Sequence, residues 1–175
     1  SSLTVSIVPD TQIPLLSSPP PTQPSPALQA CHCQSSRDPR TYDVLSLSNG
    51  LRVFLISDPD TNVSAASMDI AAGSFDDPRG AQGLAHFCEH MLFLGTSKYP
   101  QEGEYSAYLS SHGGYDNAFT STQETNYFFT VDSGYLGGAL DRFAQFFVSP
   151  LFRSDAVSRE VHAVNAEHEK NLQSD

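Results

Sequence analysis

The sequence predicts an α+β fold, in which a mostly antiparallel sheet is covered by helices on one face. Three observations predict it. Apolar residues alternate at a period of two in some segments and recur at helical spacing in others. The segments come as three strands, two helices, two strands and two helices, rather than in strict strand-helix alternation.

Eight of the twelve prolines fall in residues 1–40, in runs such as SSPPPTQPSP. Missing amide donors and fixed φ angles oppose both helix and sheet there, so this part reads as a disordered tail or linker. Cys31-His32-Cys33 within it carries metal-liganding atoms, but no second ligand cluster lies near it in sequence, and it reads as accidental. A catalytic domain is expected over residues 41–175.

The texture changes at Tyr42. Val44, Leu45 and Leu47 precede Asn49-Gly50, and Leu51, Val53, Leu55 and Ile56 come after it. Asn-Gly between alternating apolar runs signals a hairpin, because both residues tolerate positive φ. A third strand is expected over residues 62–72, where small side chains suit a packed helix. A helix then runs from about Leu84 to Leu94, closed by Gly95. The next takes Pro100 in its first turn and ends at Gly113-Gly114.

Two strand-like segments, YDNAFTS and TNYFFTV, come next. Leu136, Leu140, Phe143 and Phe147 then recur at helical spacing as far as Pro150. The last helix starts near Ser154, a good N-cap, and carries Val157, Val161 and Val164 on one stripe.

Twenty acidic against nine basic residues give a formal net charge of -11. Such a surface repels phosphate backbones and anionic headgroups, which argues against nucleic acid or a membrane as partner. Basic or neutral peptides fit it better. No apolar run reaches the length of a membrane helix. Three cysteines are too few for a disulfide framework and point to a reducing compartment, the cytosol being the simplest; an upstream organellar targeting segment is compatible with the sequence.

The chemistry concentrates in His86-Phe87-Cys88-Glu89-His90. On a helix the two histidines lie about 40° apart around the axis and one turn along, so both imidazoles can reach one ion. Glu89 lies about 80° to one side, where a carboxylate can reach a water on the metal without being a ligand. Cys88 points away and reads as a small packed residue. The flanking Leu84, Ala85, Met91, Leu92, Phe93 and Leu94 imply burial, and a buried acid between two histidines is costly unless paired or metal-bound. Catalytic zinc usually takes three protein ligands, so one more is needed. His112, His162, His168, Glu160, Glu167 and Glu169 are all chemically eligible. Glu160 and Glu167 lie about 20° apart around the last helix and can face one site.

The order H-x-x-E-H is the inverzincin signature. Together, GLAHFCEHMLFLGTSKYP, GGYDNAFTSTQETNYFF, ALDRFAQFFVSPLF and REVHAVNAEHEKN resemble the N-terminal domain of the insulysin branch of the pitrilysin metallopeptidases, from about Tyr42 onward. The resemblance implies that His86, His90 and Glu167 hold Zn2+, that Glu89 is the general base, and that Glu160 supports the site from behind. It makes Asn117, Ala118 and Phe119 part of an edge strand that pairs with extended substrate. Gly113-Gly114-Tyr115-Asp116, just before NAFT, differs from the branch.

The function implied is zinc-dependent endopeptidase cleavage of short polypeptides. The alternative is a non-catalytic peptide-binding or scaffold module, which typically loses the motif retained here. The resemblance implies further domains in the full-length enzyme that complete the substrate chamber, and a homo-oligomer is compatible with it. The chain alone is expected to be a poor catalyst.

Overall fold

The computed structural model describes residues 2–8, by their backbone, and residues 34–172. Six strands form one sheet: β1 (Ser2–Val8), β2 (Thr41–Ser46), β3 (Arg52–Asp58), β4 (Val63–Ile70), β5 (Tyr115–Thr120) and β6 (Thr125–Asp132). Their spatial order is β2-β3-β1-β4-β6-β5. All neighbours are antiparallel except β1 and β4. Among the described residues four α-helices, α1 (Leu84–Leu92), α2 (Glu104–Ser111), α3 (Leu136–Val148) and α4 (Ser154–Leu172), accompany the sheet. The α+β class expected from the sequence is what forms.

The Asn49-Gly50 hairpin joins β2 to β3, with Ser46 opposite Arg52 and Gly50 at φ 87°. At the other end of the helical pair Gly114 is required by space. A Cβ there would lie 1.9 Å from the Thr130 carbonyl oxygen, so only glycine lets the chain leave α2 and enter β5 this close to β6.

The core lies between the sheet and α2 and α3. On β6 every second residue, Thr125, Tyr127, Phe129 and Val131, is buried. Against that face α2 sets Tyr105 and Leu109, and α3 sets Ala139, Phe143 and Phe146. The expected Leu136, Leu140 and Phe147 pack around them, partly buried. Full burial of each large side chain contributes about 1.5–3 kcal/mol before cavity effects.

Three expectations change. Ser2–Val8 does not belong to a structureless tail: it is the strand between β3 and β4. Its sequence SLTVSIV alternates polar and apolar residues ahead of the first proline, a strand pattern masked by the proline-rich composition of the next thirty or so residues. Cys31-His32-Cys33 lies outside the described residues. Second, α2 begins at Glu104 rather than at Pro100, because Gly103 takes φ 77° at its N-cap and breaks the helical path upstream. Third, Val157 and Val161 on α4 stay exposed. The face that α4 turns toward α1 runs instead through buried Ala156, then Glu160 and Glu167.

Candidate active site

Helix α1 packs against both the edge strand β5 and α4, and this three-way meeting builds the site. The Nε2 atoms of His86 and His90 face each other at 3.2 Å. Glu167 Oε2, from α4, lies 3.3 Å from His86 Nε2 and 3.7 Å from His90 Nε2. Among the described residues these three form the one group whose donor atoms all come within 4.8 Å of one another.

The donor set fits a metal. Ligands about 2.0–2.2 Å from zinc in a tetrahedron are roughly 3.3 Å apart, close to the separations seen. Two imidazole nitrogens turned on each other and on a carboxylate oxygen bring three lone-pair-bearing atoms to one point. A cation between them satisfies all three at once.

The orientation of His90 comes from behind. Its Nδ1 lies 3.3 Å from Glu160 Oε2. With the proton on Nδ1 donated to that carboxylate, the Nε2 lone pair is directed at the site. Glu160 is in turn held by Arg159, whose Nε donates to Glu160 Oε1 at 3.0 Å and whose guanidinium also reaches Glu102 at 2.9 Å.

Glu89 is buried, 8% exposed, and its Oε2 accepts the hydroxyl proton of Thr120 at the end of β5. It stands on the strand side of the histidines while Glu167 stands on the α4 side. Cys88 is half-buried, and burial pushes its thiol up, consistent with packing.

The cleft in front of these residues has a volume of about 690 Å³. Its lining includes His86, Glu89, His90, Glu160 and Glu167, and along β5 Asp116, Asn117, Ala118, Phe119 and Thr120. In the described sheet β5 is an edge, so its outer side is free to pair. Asn117 and Phe119 are exposed, and the Ala118 N–H donates to Asn117 Oδ1 at 2.9 Å.

Of the eligible third ligands, Glu167 converges on the histidines. His112 is turned elsewhere, its Nδ1 at 2.7 Å from the Tyr108 carbonyl and its ring against Tyr135. His162, His168 and Glu169 are exposed or outside the group. Sequence reasoning missed Thr120, Asp116 and Arg159. The period-two alternation of β5 could have found the first two, since Asp116, Ala118 and Thr120 share a face. Arg159 carried no signal beyond adjacency to Glu160.

Residues 52–175 match the model of the Insulinase (Peptidase family M16) family, and the chain belongs to that family. It is 54% identical over 157 residues to insulin-degrading enzyme of Mus musculus, a match covering 88% of this chain and 15% of that protein. It is equally 54% identical over 138 residues to a protein of Schizosaccharomyces pombe named as a putative zinc protease, covering 79% of this chain and 14% of the other. A crystal structure of pitrilysin superimposes with a TM-score of 0.76 at 40% identity, over 81% of this chain and 15% of that one. The chain thus spans about one seventh of the length of these relatives.

Proposed function

We propose that this chain carries the zinc site of a metalloendopeptidase that cleaves short polypeptides. The observation that carries the reading is the convergence of His86, His90 and Glu167 on one point, with Glu89 beside it at the end of a free sheet edge. His86 Nε2, His90 Nε2 and Glu167 Oε2 would hold the ion. Bound there, zinc supplies a Lewis acid that polarises the scissile carbonyl and makes the attacking water more acidic.

The chain's own residues do the rest. Glu89 takes a proton from the attacking water and returns it to the leaving amine. Thr120, donating to Glu89 Oε2, leaves Oε1 as the oxygen available for that transfer. Glu160 holds the His90 ring. The β5 edge at Asn117, Ala118 and Phe119 binds extended substrate by main-chain pairing, which reads shape more than sequence.

Strand β1 and residues 41–175 together form part of an N-terminal catalytic domain, and further domains of the full-length enzyme close the cleft. Glu167 is about half exposed, so the metal position opens to solvent on that side, and the chain alone binds better than it turns over. The scaffold reading is disfavoured by the retention of Glu89. Among the described residues no helix is long and apolar enough to cross a membrane. The free Cys88 thiol fits a reducing compartment such as the cytosol.

The test is peptide hydrolysis by the full-length protein. Glu89→Gln should keep zinc and lower kcat by about 10²–10⁴-fold. Undiminished hydrolysis in that variant, or in an excess of chelator, contradicts the mechanism.

A further inference from the structure

Asp116 is a carboxylate on the wrong face of its strand. In the β5–β6 register it stands opposite Phe129, as Ala118 stands opposite Tyr127 and Thr120 opposite Thr125. Directly opposed residues on antiparallel strands share a face, so Asp116 lies on the face that carries the buried side of β6. It is partly buried, lines the cleft, and accepts one hydroxyl, from Ser106 on α2 at 3.0 Å. Among the described residues no lysine or arginine pairs with it, and no lysine or arginine lines the cleft.

Such a placement costs free energy without an evident structural return. Some acids of this chain have close cations, as Asp141 has Lys98 and Asp155 has Arg153. Asp116 has only neutral donors, the Ser106 hydroxyl and its own backbone N–H, and burial raises its carboxyl above the ordinary range. Tyr105, its other neighbour, is pushed up first by burial and then by the Asp116 charge, so it remains a neutral phenol. A half-desolvated carboxylate facing an open cleft is a receptor for a cation that arrives from outside.

We propose that Asp116 is a specificity-determining residue that selects a lysine or arginine side chain in the peptide laid along β5. The inference rests on the peptidase reading above and adds the substrate class. Thr120 touches the general base, and Asp116 lies four residues earlier on the same face, about 13 Å along the strand. A paired substrate strand presents alternate side chains to that face. One position on it, displaced from the scissile bond, therefore meets Asp116. The charge suits this use: Asp116 is the one acid lining the cleft that the metal group, His90 and the proton transfer do not already engage, and no lysine or arginine lines the cleft.

The experiment uses the full-length protein and a set of otherwise identical peptides, each with one lysine at a successive position, paired with norleucine controls. In the wild-type protein one position should raise kcat/KM about tenfold or more over its norleucine control. Asp116→Asn, which can still accept the Ser106 hydrogen bond, should bring that ratio, read within the variant, to about one. Asp116→Lys should reverse the preference toward glutamate at the same position, an outcome that a merely structural role does not produce. Equal cleavage of lysine and norleucine peptides by the wild type, or a ratio unchanged in Asp116→Asn, overturns the inference and leaves the peptidase reading standing. No cleavage of any peptide overturns the peptidase reading and the inference together.

Discussion

His90 on α1 and Glu160 on α4 meet across 70 residues of sequence, Nδ1 to Oε2 at 3.3 Å, and the contact leaves the Nε2 lone pair of His90 free to face His86 and Glu167. It joins the two helices that supply the donor atoms. Helix α4 has few apolar contacts of its own here, with Val157 and Val161 exposed, so polar contacts contribute much of what fixes its position. Glu160→Ala should therefore weaken zinc affinity about 10–100-fold, measured by competition with a chromogenic chelator. An unchanged affinity would show that the imidazole is oriented by its own packing.

Thr120 gives a second prediction. Thr120→Val keeps the shape and β-branching of the side chain but removes the hydroxyl that donates to Glu89. Glu89 then loses one partner while His86, His90 and Glu167 are untouched. Peptide kcat should fall about tenfold, the pH profile of kcat should move, and zinc content should stay the same. A fall in zinc content with kcat would instead mark Thr120 as part of the scaffold of the metal centre.

Leu109 is fully buried between α2, the sheet and α3. Leu109→Ala leaves a cavity where neighbours cannot collapse inward, which costs about 2–5 kcal/mol in a denaturant titration. A loss under about 1 kcal/mol would mean that the aromatic cluster around Phe143 and Phe146 refills the space.

Asp116 predicts a pH dependence whose sign is set by burial. A carboxyl whose folded-state pKa is raised above its ordinary 3.8 favours folding in its protonated form. Its contribution is fully present below that ordinary value and is lost as pH rises through the raised one. Asp116→Asn should thus melt at a higher temperature than the wild type at about pH 7, and the gap should close as pH falls toward about 3. A gap that widened in acid would mean that Asp116 is stabilised as the anion.

Much of this was legible in the sequence, and the reasons differ by element. Asn49-Gly50 and the alternation of β6 are local signals, and they specify the hairpin and the buried face directly. His86 and His90 are one turn apart on a single helix, so local geometry brings them together. Glu167 is different: helical periodicity places it on one face with Glu160, but only the packing of α4 on α1 decides that Glu167 reaches both Nε2 atoms and Glu160 reaches Nδ1. The β1 strand was hidden for another reason. Its seven residues alternate well, but they precede a proline-rich stretch whose composition dominates any window that includes both. Likewise the start of α2 turned on a left-handed glycine, Gly103, that reads in sequence as a tolerated interruption.

The metal centre itself is tested most directly by zinc K-edge X-ray absorption on the zinc-loaded protein. The expected first shell holds two imidazole nitrogens, from His86 and His90, with oxygen from Glu167, all at about 2.0–2.2 Å. A sulfur shell at about 2.3 Å, which only a cysteine such as Cys88 could supply, or a shell without imidazole, would contradict the site.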